Sequence, residues 1–335
     1  MKRIISLLLA LALSLSLAAC AAPAEKADGG KLQIVTTLFP SYDFARAIAQ
    51  DRADVTLLLS PGREAHSFEP TPLDAVTISE ADVFLYNGGE GEYWVESMLD
   101  AAGEHIAVAS RMMDYVDALN EEYVEGMQGA DGHDHDHEHG SHDDHDHDHE
   151  EDEHDSDEIE YDEHIWTSPK NAVVLCRAVC DAICRADAEN AAFYRANCEN
   201  YCAQLEDLDA RFAALCESAP RRLLIFADRF PMLYFCREYG LDYRAAFHGC
   251  SGDTEPSLAT IKFLIDKVED ENIPVVYTID FGTKKVAAVV SECTGAAIET
   301  LYSMQTVSRA DFDAGETYLT LMERNFEALR KGLNE

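Results

Sequence analysis

The chain has 335 residues, 47% of them apolar, and a formal charge of −38 at pH 7. That length provides for two domains of about 150 residues with sizeable cores, and the acidic balance excludes nucleic acid as a partner while favouring cations. Of the 64 acids, 18 lie between Asp131 and Glu163, so the remainder of the chain is only moderately acidic.

Lys2 and Arg3 precede an apolar run from Ile4 to Leu17, which leads into Leu17-Ala18-Ala19-Cys20. A positive start, a short apolar centre and small residues before a cut site predict an export signal over residues 1–19. The run is shorter than the roughly 20 apolar residues that a membrane span needs. A cysteine directly after Leu-Ala-Ala resembles a bacterial lipobox. It implies cleavage before Cys20, lipid on the Cys20 sulfur and attachment to the outer face of the cell membrane. Residues 20–30, rich in Ala, Gly and charge, form the expected tether.

Short β-rich runs then alternate with helical segments. Strands are expected over Lys31–Thr37, Asp54–Leu59, Val83–Asn87 and His105–Ala109. Helices are expected from Tyr42 to Gln50 behind Ser41, from Thr71-Pro72 toward Ala81, and from Tyr93 to Ala101. Gly88-Gly89 ends the third strand. Strands separated by helices indicate a parallel sheet, and residues 31–168 are read as an amino-terminal α/β lobe.

Within that lobe, His133, His135, His137, His139, His142, His145, His147, His149 and His154 are interleaved with Asp and Glu. No Lys or Arg interrupts them. Neutral imidazole is the commonest protein ligand for borderline divalent ions, and the carboxylates add oxygen donors. The tract has no apolar period and cannot bury a core, so residues 131–160 are expected to form a disordered loop that collects metal rather than a fixed cage.

Beyond the tract the pattern turns helical, and residues 169–219 are read as a connection between lobes. Ser168-Pro169 starts a helix to Arg185, and Asp187 caps one from Ala188 to Glu217. In the second, Tyr194, Cys198, Tyr201, Leu205, Leu208, Phe212 and Leu215 alternate steps of four and three, a sustained helical stripe. Residues 220–335 repeat the alternating plan. Strands are expected at Arg222–Ala227, Asp242–Phe247, Pro274–Ile279 and Ala297–Leu301. Helices are expected at Phe230–Tyr239, Pro256–Glu271, Lys284–Glu292 and Phe312–Leu333. The expected architecture is α/β, with two lobes, each a four-stranded mostly parallel sheet flanked by helices, joined by one long helix.

Nine cysteines follow Cys20. Cys176, Cys180 and Cys184 are spaced by four, as are Cys198 and Cys202, and no Cys-x-x-Cys pair occurs. Small apolar core filler is the expected role, with disulfides or thiolate ligation as the alternatives.

Ligands of open parallel sheets bind beyond the carboxyl ends of the strands. His66 follows the second strand, His164 follows the acidic tract, and Asp228, His248 and Asp280 end strands of the second half. Each alone is equally a strand-end cap or a surface residue; together they suggest a metal site at the bottom of a cleft.

Pro61 to Pro72, Ala81-Asp82 through Tyr86-Asn87-Gly88, Asp162 to Ala172, Tyr194 with Asn197, Phe226 to Leu241 and Gly249 to Ser257 resemble the metal-binding lipoproteins of ABC transporters, the zinc and manganese receptors. The resemblance implies that His66 and His164 are metal ligands and that the histidine-rich loop marks a zinc member. It implies metal held between two α/β lobes. Many members carry a third histidine where this chain has Ala227-Asp228-Arg229, so Asp228 is a substitute ligand or the position is vacant. Asp280 is the candidate fourth ligand, and His248 a further candidate for the missing imidazole.

The function expected is capture of Zn2+, as transported ligand, for an ABC permease with a cytoplasmic ATPase, by a lipid-anchored monomer. A manganese or iron receptor of the same class is the alternative, since Asp228 and Asp280 together would suit a harder ion. A metal-binding adhesin or storage lipoprotein is another. A secreted zinc hydrolase is disfavoured, because the chain has no His-Glu-x-x-His or Gly-x-Ser-x-Gly pattern and no catalytic residue is assigned.

Overall fold

Two four-stranded parallel sheets share the same strand order. The computed structural model describes residues 30–63, 68–103, 106–128, 160–249 and 255–334. The export signal, Cys20, His66, Cys250 and the nine tract histidines lie outside the described residues. Among the described residues no helix is long and apolar enough to cross a membrane.

The amino-terminal sheet contains β1 (Leu32–Thr36), β2 (Ala53–Leu57), β3 (Val83–Tyr86) and β4 (Val108–Arg111), in the order β2-β1-β3-β4. The carboxy-terminal sheet contains β5 (Leu223–Phe230), β6 (Asp242–His248), β7 (Val275–Ile279) and β8 (Ala297–Leu301), in the order β6-β5-β7-β8. In both, the chain leaves the first strand to one side and returns on the other, which opens a crevice beyond the carboxyl ends of the two central strands. Asn87 and Gly88 follow β3 at one crevice; Asp228 on β5 and Asp280 after β7 belong to the other.

Alternation along each strand sorts side chains into two layers. Ile34, Val83, Leu85, Leu224, Phe226, Val275 and Tyr277 belong to one core that is continuous through both lobes. Val35 and Phe84 point to an outer cluster, and Ile225, Ala227 and Val276 to another. The inner core is filled by α1 (Phe39–Ala49), α4 (Pro169–Ala186), α5 (Ala191–Ser218), α6 (Leu233–Tyr239) and α10 (Tyr318–Asn334). The outer clusters are covered by α2 (Pro72–Ser79) and α3 (Val95–Ala102) in one lobe, and by α7 (Leu258–Asp270) and α8 (Lys285–Thr294) in the other.

The connecting helix α5 has 28 residues, about 42 Å at 1.5 Å per residue. All seven residues of its predicted stripe are buried. Its first turn, Ala188–Asn190, is 3₁₀, with the Asp187 side chain accepting from the Asn190 amide at 3.3 Å. Thr71 and Asp74 form a reciprocal capping box at the start of α2.

Three expectations are corrected. The helix expected to begin at Tyr42 starts at Phe39, because Pro40 is tolerated in a first turn, and Ser41 is buried within it. The fourth strand lies at Val108–Arg111, later than expected, where it pairs in register with β3. The final helix is two, α9 (Arg309–Ala314) and α10, because Gly315 caps the first at φ 76°.

Bonds between lobes are numerous. Gly62 N donates to Val307 O at 2.7 Å, Gln128 N to Ala246 O at 2.9 Å, and Trp166 Nε1 to Ser303 O at 2.7 Å. Asp43 on α1 accepts from the Tyr201 hydroxyl of α5 at 2.6 Å and from the Tyr318 amide of α10 at 3.0 Å. One buried carboxyl thereby ties both lobes to their connection.

Candidate metal centre

His164 lies on the segment that returns from the histidine tract, just before the short 3₁₀ turn Ile165–Thr167 and α4. Ser168 caps α4 through the Asn171 amide at 3.3 Å, and Pro169 sits in its first turn, so the chain enters that helix at a defined angle. The His164 ring is 2% exposed. Its Nδ1 is 3.1 Å from Asp162 Oδ1, and the same oxygen accepts from the His164 amide at 2.7 Å. A carboxylate on one ring nitrogen orients the imidazole and selects the tautomer whose Nε2 lone pair can ligate metal. Burial lowers the His164 pKa, but the charge and hydrogen bond of Asp162, with Glu121 and Glu163 beyond, outweigh it and leave the ring more basic than usual.

The segment is wedged between lobes. On one side Asn87 Nδ2 donates to Glu163 O at 3.0 Å, and Gly91 N donates to Glu163 Oε1 at 2.7 Å. On the other the Tyr234 hydroxyl donates to Asp162 O at 2.9 Å. Gly89, at φ 101°, and Gly91 make room: a Cβ on either would meet the Glu163 carboxylate within 3 Å. Gly249, beyond β6, is equally restricted, since a Cβ there would stand 3.2 Å from His164 Cε1. The imidazole is therefore packed directly against backbone of the second lobe.

Beside Glu163 is a cavity of about 20 Å³, lined by Thr37, Leu59, Phe68, Glu92 and Trp94 of the first lobe and by Gln305 of the second. That is room for one water-sized particle. Glu92 is buried there, with Oε2 accepting from the Gly88 amide at 2.7 Å. Burial pushes its pKa from 4.5 to about 7, the Thr37 hydroxyl and Gly88 amide opposing and the Glu163 charge adding to the rise. A raised carboxyl pKa means that the folded state binds more protons between pH 4.5 and 7, so stability is lost as pH rises through that window. Glu92→Gln keeps the acceptor for Gly88 and removes the titration. In the metal-free protein it is expected to be stabilising by about 1–3 kcal/mol at pH 8 and by progressively less toward pH 5. Urea midpoints at the two pH values check this, and an equal shift at both would assign the pH dependence elsewhere.

The remaining candidates are distributed around the second crevice. Asp228 Oδ2 accepts from the Thr278 hydroxyl at 2.6 Å and from Ile279 N at 3.3 Å, while Oδ1 accepts from Arg229 N at 2.9 Å. Its carboxylate clamps β5 to β7. Asp280 is half-buried after β7, and its Oδ1 accepts from Ser303 N at 3.2 Å. Burial raises its pKa to about 6, against the Ser303 hydrogen bonds. It also lines a separate cavity of about 160 Å³ with Lys284, Tyr302 and Asp311. His248 ends β6, with Nδ1 3.7 Å from Glu121 Oε2 and its ring 5.1 Å from that of Tyr123. Among the described residues, no three of these candidates bring donor atoms within 4.8 Å of one another.

Sequence reasoning missed Glu121 and Glu92. The Glu121 side chain is 6% exposed, lies beside His248 and contributes to the charge around His164. No motif announces it, because it is placed by the Asn120–Tyr161 bridge and by Glu121 N donating to Glu160 O at 2.8 Å.

The sequence model of the family described as zinc-uptake complex component A, periplasmic, matches residues 34–332. The high-affinity zinc uptake system protein ZnuA of Bacillus subtilis is 31% identical over 91% of this chain and 88% of its own length. The zinc-binding lipoprotein AdcA of Streptococcus pneumoniae is 30% identical over 99% of the chain, which spans 61% of that longer protein. In structure, the Zn(II)-bound ZnuA-like domain of S. pneumoniae AdcA superimposes with a TM-score of 0.71 at 26% identity, covering 91% of this chain and 100% of that domain. The metal-dependent lipoprotein YcdH of B. subtilis gives 0.72 at 29% identity, covering 90% and 100%.

Proposed function

The chain belongs to the family of the periplasmic zinc-uptake complex component A, and from that premise we propose that it captures zinc outside the cytoplasm and delivers it to an ABC-type importer. The observation that carries the reading is His164. It is a buried imidazole, held by a carboxylate through Nδ1 and pressed between the strand ends of two lobes. Such a ring is pre-oriented for one ion and costs little reorganisation on binding.

In this reading His66 and His164 supply the imidazoles, and Asp280 and Asp228, with His248 as a further donor, are the candidates that complete a tetrahedral set. The position of Glu121 beside His164 and His248 adds a carboxylate to that group. The chain is anchored through lipid on Cys20, as the relative named a zinc-binding lipoprotein supports, and it meets a permease driven by a cytoplasmic ATPase as a monomer. The bonds between lobes and the continuous inner core resist wide opening, so release proceeds through local movement around residues 162–164 rather than a hinge.

The histidine tract acts as a collecting arm. Removing residues 132–155 is expected to leave one tight zinc equivalent and to abolish the weaker stoichiometric excess in calorimetry. Loss of the tight equivalent would refute the division of labour.

A further inference from the structure

Helices α4 and α5 pack along a seam of cysteines that the zinc site does not use. Cys176, Cys180 and Cys184 are on α4, and Cys198 and Cys202 on α5; all are buried. The i, i+4 spacing puts each set on one helix face, and the two faces meet. Cys198 Sγ is 3.8 Å from Cys202 Sγ, and Cys176, Cys198 and Cys202 each offer a sulfur within 4.8 Å of the other two. Among the described residues, no imidazole or carboxylate enters that group. Its hydrogen-bonding surroundings are the helix carbonyls Cys176 O and Val173 O, at 3.8 and 3.9 Å from Cys198 and Cys202 Sγ.

We infer that Cys176, Cys198 and Cys202 form a second metal site, for a soft thiophilic d10 cation of the Cu(I) class in three-coordinate sulfur ligation. Three donors about 2.3 Å from a central ion in a plane are about 4.0 Å apart, close to the spacing already present. The all-sulfur set selects soft ions over hard ones, and three donors fall one short of the four that a structural zinc site takes. The neighbouring thiols favour the thiolate at Cys198, whereas Cys198 and burial push the Cys176 thiol up, and the Cys202 thiol too despite Cys176, so the ion must displace those protons. Binding releases the proton of each ligating thiol to solvent and needs no change of oxidation state when the ion arrives as Cu(I). The site is built on the connection between lobes, from residues distinct from His164 and the strand-end candidates.

The full chain, reduced and kept anaerobic, is titrated with Cu(I) against a competing chelator, with ultraviolet absorption and copper X-ray absorption as readouts. The expected result is one equivalent that shows sulfur-to-copper charge transfer and a first shell of sulfur only, a signature that imidazoles of the histidine tract cannot produce. Cys198→Ser and Cys202→Ser are expected to lose it, with circular dichroism and the tight zinc equivalent unchanged. Cys293→Ser, at an exposed cysteine outside the seam, is expected to keep it. Absence of the sulfur shell in the wild-type protein, its persistence in both seam variants, uptake of zinc but not Cu(I) by these thiols, or a Cys176–Cys198 disulfide in place of metal would each overturn the assignment.

Discussion

His164→Ala is expected to weaken the tight zinc site by roughly 100-fold or more. A four-ligand zinc site carries about 10–16 kcal/mol of binding free energy, so one ligand accounts for about 3 kcal/mol, or roughly 100-fold in affinity. The loss exceeds that of a surface histidine because the His164 ring is buried and pre-oriented by Asp162, so no neighbour can swing in without repacking against Gly249. Asp162→Asn leaves the imidazole in place but loosens its orientation and lowers its basicity; a smaller loss, about 10-fold, is expected. Zinc affinity measured against a competing chelator orders the two variants. Wild-type affinity in His164→Ala would remove this residue from the site. In all three proteins affinity falls toward acid, because ligation requires neutral imidazole.

Asp43→Ala is expected to destabilise the metal-free protein by about 3 kcal/mol, since truncation strands two buried donors, the Tyr201 hydroxyl and the Tyr318 amide, at about 1–3 kcal/mol each. Burial raises the Asp43 pKa despite the opposing Tyr201 and Tyr318 bonds and the charge of Arg46. A neutral side chain is therefore tolerated well, and Asp43→Asn, which keeps an acceptor, is expected to cost about 1 kcal/mol. Chemical denaturation followed by circular dichroism measures both. Because Asp43 joins α1, α5 and α10, the Ala variant is also expected to protect amides of β1 and β5 from hydrogen exchange less well than wild type, in both lobes at once. Loosening of one lobe alone would show that the lobes are not coupled through this residue.

Much of the architecture was legible because it is written in local periods. The stripe from Tyr194 to Leu215 specified α5, and Thr71-Pro72 specified the start of α2, whose capping box with Asp74 the structure added. Boundaries set by non-local pairing were not: β4 takes its place from its register with β3, and no local signal distinguishes Val108–Arg111 from the residues before it. Gly315 was visible as a residue, but its conversion of one helix into two depends on a left-handed backbone. At the candidate site, His164 was singled out by its motif, and the proposal that it ligates metal rests on its burial and its bond to Asp162. Asp228 and Asp280 were visible as acids near strand ends, but β5 runs on past Asp228 to Phe230, and their hydrogen-bond partners Thr278 and Ser303 come from other strands and turns.

By itself the sequence determined which residue types stand near strand ends, the alternation that makes two similar lobes, and a histidine tract of residue types suited to metal, because each depends on neighbours a few residues away. Only the tertiary structure decided that Asp162 holds His164, that Glu92 and Glu121 enter the cleft, and that three thiols from two helices share one spot. The Asp162–His164 bond joins residues only two apart, but the burial of that pair and the other outcomes rest on contacts between residues distant in sequence. Desolvation and the approach of distant charges then reset each group's chemistry, and no local pattern encodes them.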